Sequence, residues 1–243
     1  MPEPPGSRIV LVTGASRGIG LEVATQFAAL GDRVVMTARS EDALEQAAAS
    51  MRASGAQVWA RPLDVTSAAD CGALLDWMVQ NLGCPDVCVL NAGIGHWATV
   101  VDTSDQQWAE TFRVNVDGVF YSARAALRPM LARGQGHLIF VSSVMARRGA
   151  ANMAAYAASK AAVAVFADSL ALEVKQHGIK VSVLYPGSTL TTMRARQTLR
   201  PVTPEISDPA LQLRTRDVAD AVVWLASASA HAFPTSLVLE PPA

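Results

Sequence analysis

A tyrosine and a lysine four residues apart give this 243-residue sequence its clearest chemical signal. Tyr156 and Lys160 lie in a stretch with a helical pattern, and at this spacing two side chains share one face of a helix. An ammonium group beside a phenol favours the phenolate, so the pair predicts a pKa for Tyr156 below the usual value of about 10. Such a tyrosine can act as a general acid or base near neutral pH. Because single pairs of this kind also occur by chance, the residues around them carry the rest of the argument.

Three further polar residues are candidates for the same site. Ser142 and Ser143 end an apolar run just before the helix, where a hydroxyl could donate a hydrogen bond to a substrate carbonyl oxygen beside Tyr156. Asn115 lies among apolar residues of an earlier helical stretch, and burying an amide without a partner costs about 1–3 kcal/mol. The amide therefore either holds a water near Lys160 or is a structural polar group with protein partners.

A glycine-rich segment, TGASRGIG at residues 13–20, lies between the first apolar run and the first helical stretch. There Gly14 can form the tight turn, Gly18 lets the backbone approach a pyrophosphate, and Gly20 permits close packing of helix and strand. The N-terminus of the helix offers free N–H groups to phosphate. A plain glycine-rich turn is the alternative, but the position between strand and helix favours a dinucleotide site. The residues predicted to bind the nucleotide here are Gly14, Ser16, Arg17, Gly18, Ile19 and Gly20.

The end of the second apolar run indicates which nucleotide the site prefers. An NAD site usually places an acidic residue there to bind the ribose hydroxyls. In this sequence Ala38 and Arg39 occupy the turn, and the first acidic residue is Glu41. Arg39 could bind a 2′-phosphate through two hydrogen bonds, and Arg17 could add a second positive charge. Unless both are ordinary solvated arginines, the pattern favours NADP(H).

Polar and small residues also follow the third and fourth apolar runs. Asp64 and Val65 end the third, where the carboxylate can reach an adenine edge. Asn91, Ala92 and Gly93 end the fourth, where small residues let a cofactor lie against the strand ends. Ligands of open α/β sheets bind at these carboxyl ends. Because Asp, Asn and Gly are also common in ordinary turns, turn chemistry is the alternative.

Short apolar runs alternate with amphipathic helical stretches along the chain. We predict an α/β fold, a doubly wound parallel sheet (Rossmann-like) of about seven strands with helices on both faces. It would form a single domain over residues 1–243, with a substrate loop near residues 189–213. The predicted strands are residues 9–12, 34–36, 58–60, 87–90, 138–141, 181–184 and 237–239. The predicted helices are residues 19–30, 43–53, 68–82, 106–132, 154–176 and 217–228.

The composition argues against several classes of protein. A net charge of −1 does not suit a dedicated nucleic-acid binder, which needs a basic face. No apolar stretch approaches the roughly 20 residues that cross a bilayer, and the first residues do not resemble a secretory signal. Cys71, Cys84 and Cys88 predict neither a disulfide framework nor a metal site, and they favour a reducing, cytoplasmic location.

In combination, these motifs resemble those of the short-chain dehydrogenase/reductase family, in its single-domain branch, over nearly the whole chain. The resemblance implies a tetrad of Asn115, Ser143, Tyr156 and Lys160, in which Ser143 rather than Ser142 matches the family spacing. Tyr156 would protonate a carbonyl oxygen that Ser143 polarises. Lys160 would bind the nicotinamide ribose and lower the tyrosine pKa, while Asn115 would position a water in a proton relay. The chain would be an NADP(H)-dependent oxidoreductase that transfers hydride between the nicotinamide and a carbonyl or secondary alcohol.

The same resemblance implies a nicotinamide segment and an assembly. The segment that orients the nicotinamide matches Pro186, Gly187, Thr189 and Thr191. Members of the family usually form homotetramers or homodimers through two helices, which here are residues 106–132 and 154–176. The partner of the site would be a small carbonyl or alcohol substrate, with no nucleic acid or membrane. Arg194 and Arg196 could contact an acidic group of that substrate, although mobile arginines are more often solvated.

Besides a sugar-nucleotide epimerase or dehydratase of the family's longer branch, against which Arg17 in the glycine motif argues, two other functions stay open. One is an enzyme like the 3-oxoacyl-carrier-protein reductases, although the ending Leu239-Glu240-Pro241 lacks the Gly-Gly segment usual in those proteins. The other is a non-catalytic nucleotide-binding or sensor protein, against which the presence of both Tyr156 and Lys160 argues.

Overall fold

The structure, a computed structural model, describes residues 8–191, 208, 211–229 and 231–241, which fold around one parallel β-sheet. Every neighbouring pair of strands is parallel. All seven predicted strands are confirmed. In chain order they are β1 (Ile9–Thr13), β2 (Arg33–Ala38), β3 (Val58–Pro62), β4 (Val87–Leu90), β5 (Gly136–Val141), β6 (Ile179–Pro186) and β7 (Ser236–Leu239), and they lie in the sheet as β3-β2-β1-β4-β5-β6-β7.

Helices cover both faces of this sheet. Within the described ranges they are α1 (Gly18–Ala29), α2 (Glu41–Ala53), α3 (Ala68–Asn81), α4 (Asp105–Phe112), α5 (Gly118–Arg133), α6 (Ala154–Val174) and α7 (Thr215–Ser227). Successive strand residues point to opposite faces, so Leu11 packs with α3, α5 and α6, whereas Val10 and Val12 pack with α1, α2 and α7. Because both faces are buried, the strands are continuous apolar runs. The predicted doubly wound α/β fold is therefore confirmed.

One predicted helix is interrupted. The stretch expected to be helical over residues 106–132 consists of α4, a π-helical segment over Arg113–Asp117, and α5. The segment holds Asn115 fully buried, with its side chain bonded to groups outside the helix. At the start of α5, Gly118 packs against Val65, since a Cβ there would lie 2.8 Å from the Val65 Cγ2. Single-turn π segments of this kind are often found at functional sites.

The sheet changes its winding direction between β1 and β4. From β1 the chain runs outward through β2 and β3, and then returns to pair β4 with the other side of β1. Such a switch opens a crevice outside the carboxyl ends of the two strands. The glycine-rich segment follows β1, and Asn91 follows β4, so both lie at this crevice. Among the helices of the described residues, none has the length and apolar character needed to cross a membrane.

Candidate active site

The glycine-rich segment forms a tight turn that brings the start of α1 against β4. Gly14 and Gly18 have φ values of +68° and +59°, in the left-handed region that favours glycine. A Cβ on Gly20 would collide with the Gly14 carbonyl oxygen and lie 2.5 Å from the Asn91 Nδ2. A Cβ on Gly18 would have the Thr191 Cγ2 as its nearest neighbour, at 3.8 Å. The turn thus has an open face at a helix N-terminus, which fits a phosphate group. Ser16 and Arg17 lie in the same turn, with Arg17 exposed at the position that precedes α1, and Ile19 lies in the first turn of α1.

Thr13 and Asn91 join this turn to the end of β4. The Thr13 hydroxyl accepts hydrogen bonds from the backbone N–H groups of Asn91 (3.0 Å) and Ala92 (3.1 Å). The Asn91 amide donates in return to the Thr13 carbonyl at 2.9 Å. Thr13 was not among the predicted site residues. Its signal was a hydroxyl at the last position of an apolar strand, directly before Gly14.

Asp64 and Arg39 lie near each other at the ends of β3 and β2. The Asp64 carboxylate accepts hydrogen bonds from the Thr66 backbone N–H (3.0 Å) and hydroxyl (2.8 Å). The Thr66 backbone N–H, the Thr66 hydroxyl and the charges of Arg39 and Arg113 hold the pKa of Asp64 below its usual value. The carboxylate therefore stabilises the turn that follows β3. Val65 is buried beneath it, and Arg39 is exposed.

Tyr156 and Ser143 meet at the carboxyl end of β5. The Ser143 side chain hydrogen-bonds to Tyr156 and also accepts from the Met145 N–H at 3.2 Å. Ser142 points elsewhere, since its hydroxyl donates to the Lys160 carbonyl at 2.9 Å. Of the two serines, Ser143 is thus the one that faces the tyrosine.

Lys160 lies beneath Tyr156 on α6. Its Nζ donates to the Val141 carbonyl at 2.8 Å and lies 5.8 Å from the centre of the Tyr156 ring. Burial lowers the pKa of Lys160 to about 8. Burial also raises the pKa of Tyr156, and the hydrogen bond from Ser143 opposes this rise only in part. The prediction that the pKa of Tyr156 lies below its usual value is therefore wrong, because desolvation of the phenol outweighs the hydrogen bond from Ser143.

The Asn115 side chain is fully hydrogen-bonded to protein. Its amide donates to the Ile94 carbonyl and to the Ser159 hydroxyl, each at 2.9 Å, and its oxygen accepts from the Ile94 N–H at 2.8 Å. Ser159 in turn donates to the Tyr156 carbonyl at 2.7 Å. A Cβ on Gly93 would lie 3.2 Å from the Asn115 Oδ1 and 3.4 Å from the Lys160 Nζ. Asn115 thus links the segment after β4 to the helix that carries Tyr156. Ser159 is a second residue that the sequence analysis missed.

The segment after β6 lies beside the glycine turn. The Gly187 N–H donates to the Leu239 carbonyl at 2.7 Å, and the Thr189 hydroxyl donates to the Gly187 carbonyl at 3.0 Å. Thr191 contacts the open side of Gly18, as described above, and Pro186 ends β6. The predicted nicotinamide segment and phosphate turn are therefore neighbours. Most of the predicted substrate loop, including Met193, Arg194 and Arg196, lies outside the described residues.

Two short segments lie beside Tyr156. A Cβ on Gly95 would lie 3.0 Å from the Tyr156 ring and 3.6 Å from the Met153 Cε. The Ala98 N–H donates to the carbonyl of Asn152 at 3.0 Å. The segment after β4 thus packs directly on the residues that precede α6, and leaves no room for a side chain at Gly95.

Sequence comparisons place this arrangement among known proteins. The family model described as short chain dehydrogenase matches residues 8–201. The chain is 35% identical over 222 residues to the 3-oxoacyl-(acyl-carrier-protein) reductase FabG of Escherichia coli (strain K12), which covers 90% of each protein. It is 32% identical over 240 residues to the glycine betaine reductase ATRR of Emericella nidulans. That match covers 98% of this chain but only 19% of the much longer relative.

Solved structures give the same result at the level of the fold. A metagenomic short-chain oxidoreductase in complex with NADP has a TM-score of 0.84 and 28% identity, covering 99% of this chain and 100% of that chain. A variant of actinorhodin polyketide ketoreductase with NADPH has a TM-score of 0.88 and 30% identity, covering 96% and 95%. The similarity extends over the whole sheet and its helices.

Proposed function

The chain belongs to the short chain dehydrogenase family of oxidoreductases, and we propose that it uses NADP(H) to interconvert a carbonyl compound and its alcohol. The observation that carries this proposal is the contact between Ser143 and Tyr156, with Lys160 buried beneath them, at the carboxyl edge of the sheet. The glycine turn and Thr191 lie at the same edge. A proton donor and a dinucleotide site therefore face one space.

Tyr156 acts as the acid during reduction. Its raised pKa keeps the phenol protonated at neutral pH, so it has a proton to donate to a substrate carbonyl oxygen. Ser143 donates a hydrogen bond to the same oxygen, which favours the negative charge that develops there. The ammonium of Lys160 lies under the ring and stabilises the phenolate left behind. When bound, NADPH supplies the hydride that the carbonyl carbon accepts.

Asn115 acts through its neighbours. Its amide hydrogen-bonds to the Ile94 carbonyl, which holds the neighbouring Gly93 close to Lys160. The same amide hydrogen-bonds to Ser159, whose hydroxyl holds the backbone of Tyr156. The water relay implied by the family resemblance would then run past Asn115 and Lys160. We assign Asn115 a positioning role in it, because all of its side-chain donors and its acceptor already bind protein.

The residues that would hold the cofactor divide by the part of the nucleotide they reach. The glycine turn would bind the phosphates through backbone N–H groups, and Arg39 with Arg17 would bind a 2′-phosphate. Two of the similar solved structures are complexes with NADP or NADPH, which supports the choice of nucleotide. The remaining proposed contacts are Asp64, Val65, Asn91, Ala92 and Gly93 on the adenosine side, and Tyr156, Lys160, Pro186, Gly187, Thr189 and Thr191 on the nicotinamide side.

A β-ketoacyl thioester is the second candidate substrate. The 35% identity to a 3-oxoacyl-(acyl-carrier-protein) reductase favours it. Glu240 and Pro241, directly after β7, favour free carbonyl compounds instead, because they stand where the resemblance leads us to expect a Gly-Gly segment in carrier-protein reductases.

We also propose that the chain is a single-domain, cytoplasmic enzyme that works as a homotetramer or homodimer. All three cysteines are free, which fits a reducing compartment. Large apolar side chains are exposed on α4, α5 and α6, the helices predicted to form subunit contacts, namely Trp108, Phe120, Val165 and Leu172. Exposed apolar surface of this kind suits an interface between subunits.

Substitution of Tyr156 by phenylalanine tests the proposed chemistry. The variant keeps the ring but lacks the proton, so carbonyl reduction should fall by about 10²–10⁴-fold while NADPH still binds. The assay uses a panel of aldehydes, ketones, β-keto esters and acetoacetyl-CoA with both nicotinamide cofactors, and binding is followed by NADPH fluorescence.

Tyr121→Phe is the matched control, because Tyr121 is a partly buried tyrosine on α5 away from the site. It should keep wild-type activity. Full activity in Tyr156→Phe would remove Tyr156 as the acid. A wild-type chain that binds NADPH but turns over no member of the panel would favour a sensor protein.

A further inference from the structure

The carboxylate of Glu240 connects the segments that follow three neighbouring strands. Glu240 comes directly after β7, and its Oε1 lies 2.9 Å from the Arg148 Nη2, with which it forms an ion pair. Its other oxygen lies over Gly187, where a Cβ would be 2.8 Å from Oε2. One side chain therefore contacts the segment after β5 and the segment after β6 at the same time.

A second arginine supports the same connection. The Arg147 guanidinium lies 5.6 Å from the centre of the Tyr185 ring, just before the end of β6. The Gly187 N–H donates to the Leu239 carbonyl, so the ends of β6 and β7 are also joined through the backbone. Residues 144–153 are thus held to β6 by Arg147 and to the segment after β7 by Arg148.

These residues form the loop that joins Ser143 to Tyr156. At its start, the Met145 N–H donates to the Ser143 hydroxyl. At its end, Met153 directly precedes α6, and the Asn152 carbonyl is held by Ala98. A shift of the loop would therefore change the orientation of Ser143 relative to Tyr156 and to the Gly187 segment.

We propose that Glu240 is a positioning residue of the active site, which holds the 144–153 loop against the Gly187 segment through Arg148. The inference rests on the proposed function, since it takes Ser143 and Gly187 as parts of the substrate and nicotinamide sites. Arg148 and Glu240 are 67% and 42% exposed, so the pair acts weakly and is screened by salt. Its loss should change turnover without unfolding the protein.

Glu240→Gln removes the charge and keeps the shape of the side chain. We expect kcat/KM for the carbonyl substrate to fall by about two- to fivefold, the range that an exposed ion pair allows, with an unchanged thermal midpoint. With saturating NADPH, raising the ionic strength should lower the wild-type kcat/KM for the carbonyl substrate towards that of Glu240→Gln and change that of the variant much less. Reversing both charges, with Arg148→Glu and Glu240→Arg, should restore most of the lost kcat/KM.

Glu45→Gln is the matched control, because Glu45 also pairs with an exposed arginine, Arg52, on α2. It should leave kcat/KM unchanged. Amide hydrogen exchange in residues 144–153, measured without substrate, should be faster in Glu240→Gln than in the wild type or the control.

Unchanged exchange in Glu240→Gln would overturn the proposal, as would failure of the double charge reversal to restore kcat/KM. The exchange measurement needs no turnover, so it decides the role of Glu240 even if Tyr156→Phe stays active. In that case the proposed chemistry at Tyr156 is wrong, whereas hydrogen exchange in residues 144–153 still tests the contact of Glu240 with the loop.

Discussion

At the residue scale, burial decides how Tyr156 and Lys160 behave. The Lys160 ammonium has lost most of its water, and burial lowers its pKa to about 8. The same burial raises the pKa of Tyr156, because a phenolate is also costly to desolvate. The protonated phenol of Tyr156, which lies above the Lys160 ammonium, can donate its proton to a substrate carbonyl oxygen. Near neutral pH the site is therefore suited to reduction, and alcohol oxidation should become faster as the pH rises and the phenolate forms.

Arg39 provides the sharpest residue-scale test of nucleotide choice. It is exposed beside Asp64, at the end of β2 where an NAD site carries an acid. In Arg39→Asp, the new carboxylate would repel a 2′-phosphate and accept hydrogen bonds from ribose hydroxyls. We expect the ratio of kcat/KM for NADPH to that for NADH to fall by about ten- to a hundredfold. Steady-state kinetics with each cofactor measure this ratio.

Lys175→Asp changes the net charge by the same amount at an exposed position after α6. It should leave the ratio unchanged. If Arg39→Asp behaved like this control, the 2′-phosphate would be bound by other residues.

The sequence predicts some side-chain partners better than others. Ser143, Tyr156 and Lys160 could be grouped because one strand, one loop and one helix turn connect them. The bond of Thr13 to Asn91 spans 78 residues, and that of Asn115 to Ser159 spans 44. No local pattern links such positions, and only the parallel pairing of β1 with β4 brings the first pair together. The direction of the Tyr156 pKa shift could not be predicted from the sequence either, because it depends on burial in the folded chain.

At the scale of elements, the contact between β1, α1 and β4 shapes the nucleotide site. Gly20 lies where the first turn of α1 touches the Gly14 carbonyl and the Asn91 amide. Any larger side chain must push the helix N-terminus away from the strand ends. The phosphates would be bound by that same N-terminus, so packing and binding depend on one position.

Gly20→Ala should therefore weaken both folding and binding. We expect the free energy of unfolding to fall by about 1–3 kcal/mol, the usual cost of overpacking, together with weaker NADPH binding. Urea denaturation and fluorescence titration measure the two effects.

Gly72→Ala is the control within a helix. A Cβ at Gly72 on α3 would meet nothing within 4 Å, so alanine should raise the free energy of unfolding by about 0.5–1 kcal/mol. An equal gain in Gly20→Ala would show that α1 can move without cost, contrary to the close contact described here.

The strands and most helices could be predicted because their periodicity is local, but the π segment could not. Arg113–Asp117 adds only a slight change of register to an otherwise helical pattern between α4 and α5. Its cause is the long-range bonding of the Asn115 amide to Ile94 and Ser159. An asparagine among apolar residues was the available signal, and it indicated a buried amide without indicating the change in helix type.

At the scale of the whole molecule, the two edges of the sheet carry different polar groups. The carboxyl edge holds the groups of the proposed site. The amino edge holds a buried ion pair, in which Arg8 donates to both carboxylate oxygens of Asp32, at 3.2 and 2.6 Å. Asp86 at the start of β4 accepts from the Ile9 N–H and from Arg133. The bonds of Asp86 connect β4 to β1 and α5. Because they and the Arg8–Asp32 pair lie away from the crevice, we expect them to stabilise the fold.

His137 makes the stability of that edge depend on pH. It is 2% exposed, and its Nε2 donates to the Ser182 hydroxyl at 2.9 Å, because that hydroxyl itself donates to the Pro234 carbonyl. Burial, with a smaller contribution from Lys180, lowers the pKa of His137 to about 3. An unfolded chain would bind the proton near pH 6.5. Between these values the unfolded state holds more protons, so stability is complete above about pH 6.5 and falls as the pH drops towards 3.

His137→Gln should reduce this pH dependence. Glutamine can still donate to Ser182 but does not titrate, so the variant lacks the slope of up to about 1.4 kcal/mol per pH unit that His137 contributes. Urea denaturation at several pH values between about 7 and 5 measures the slopes. His177→Gln, at an exposed histidine after α6, should retain the wild-type slope. If His137→Gln retained it as well, protonation of His137 would not be what weakens the amino edge in acid.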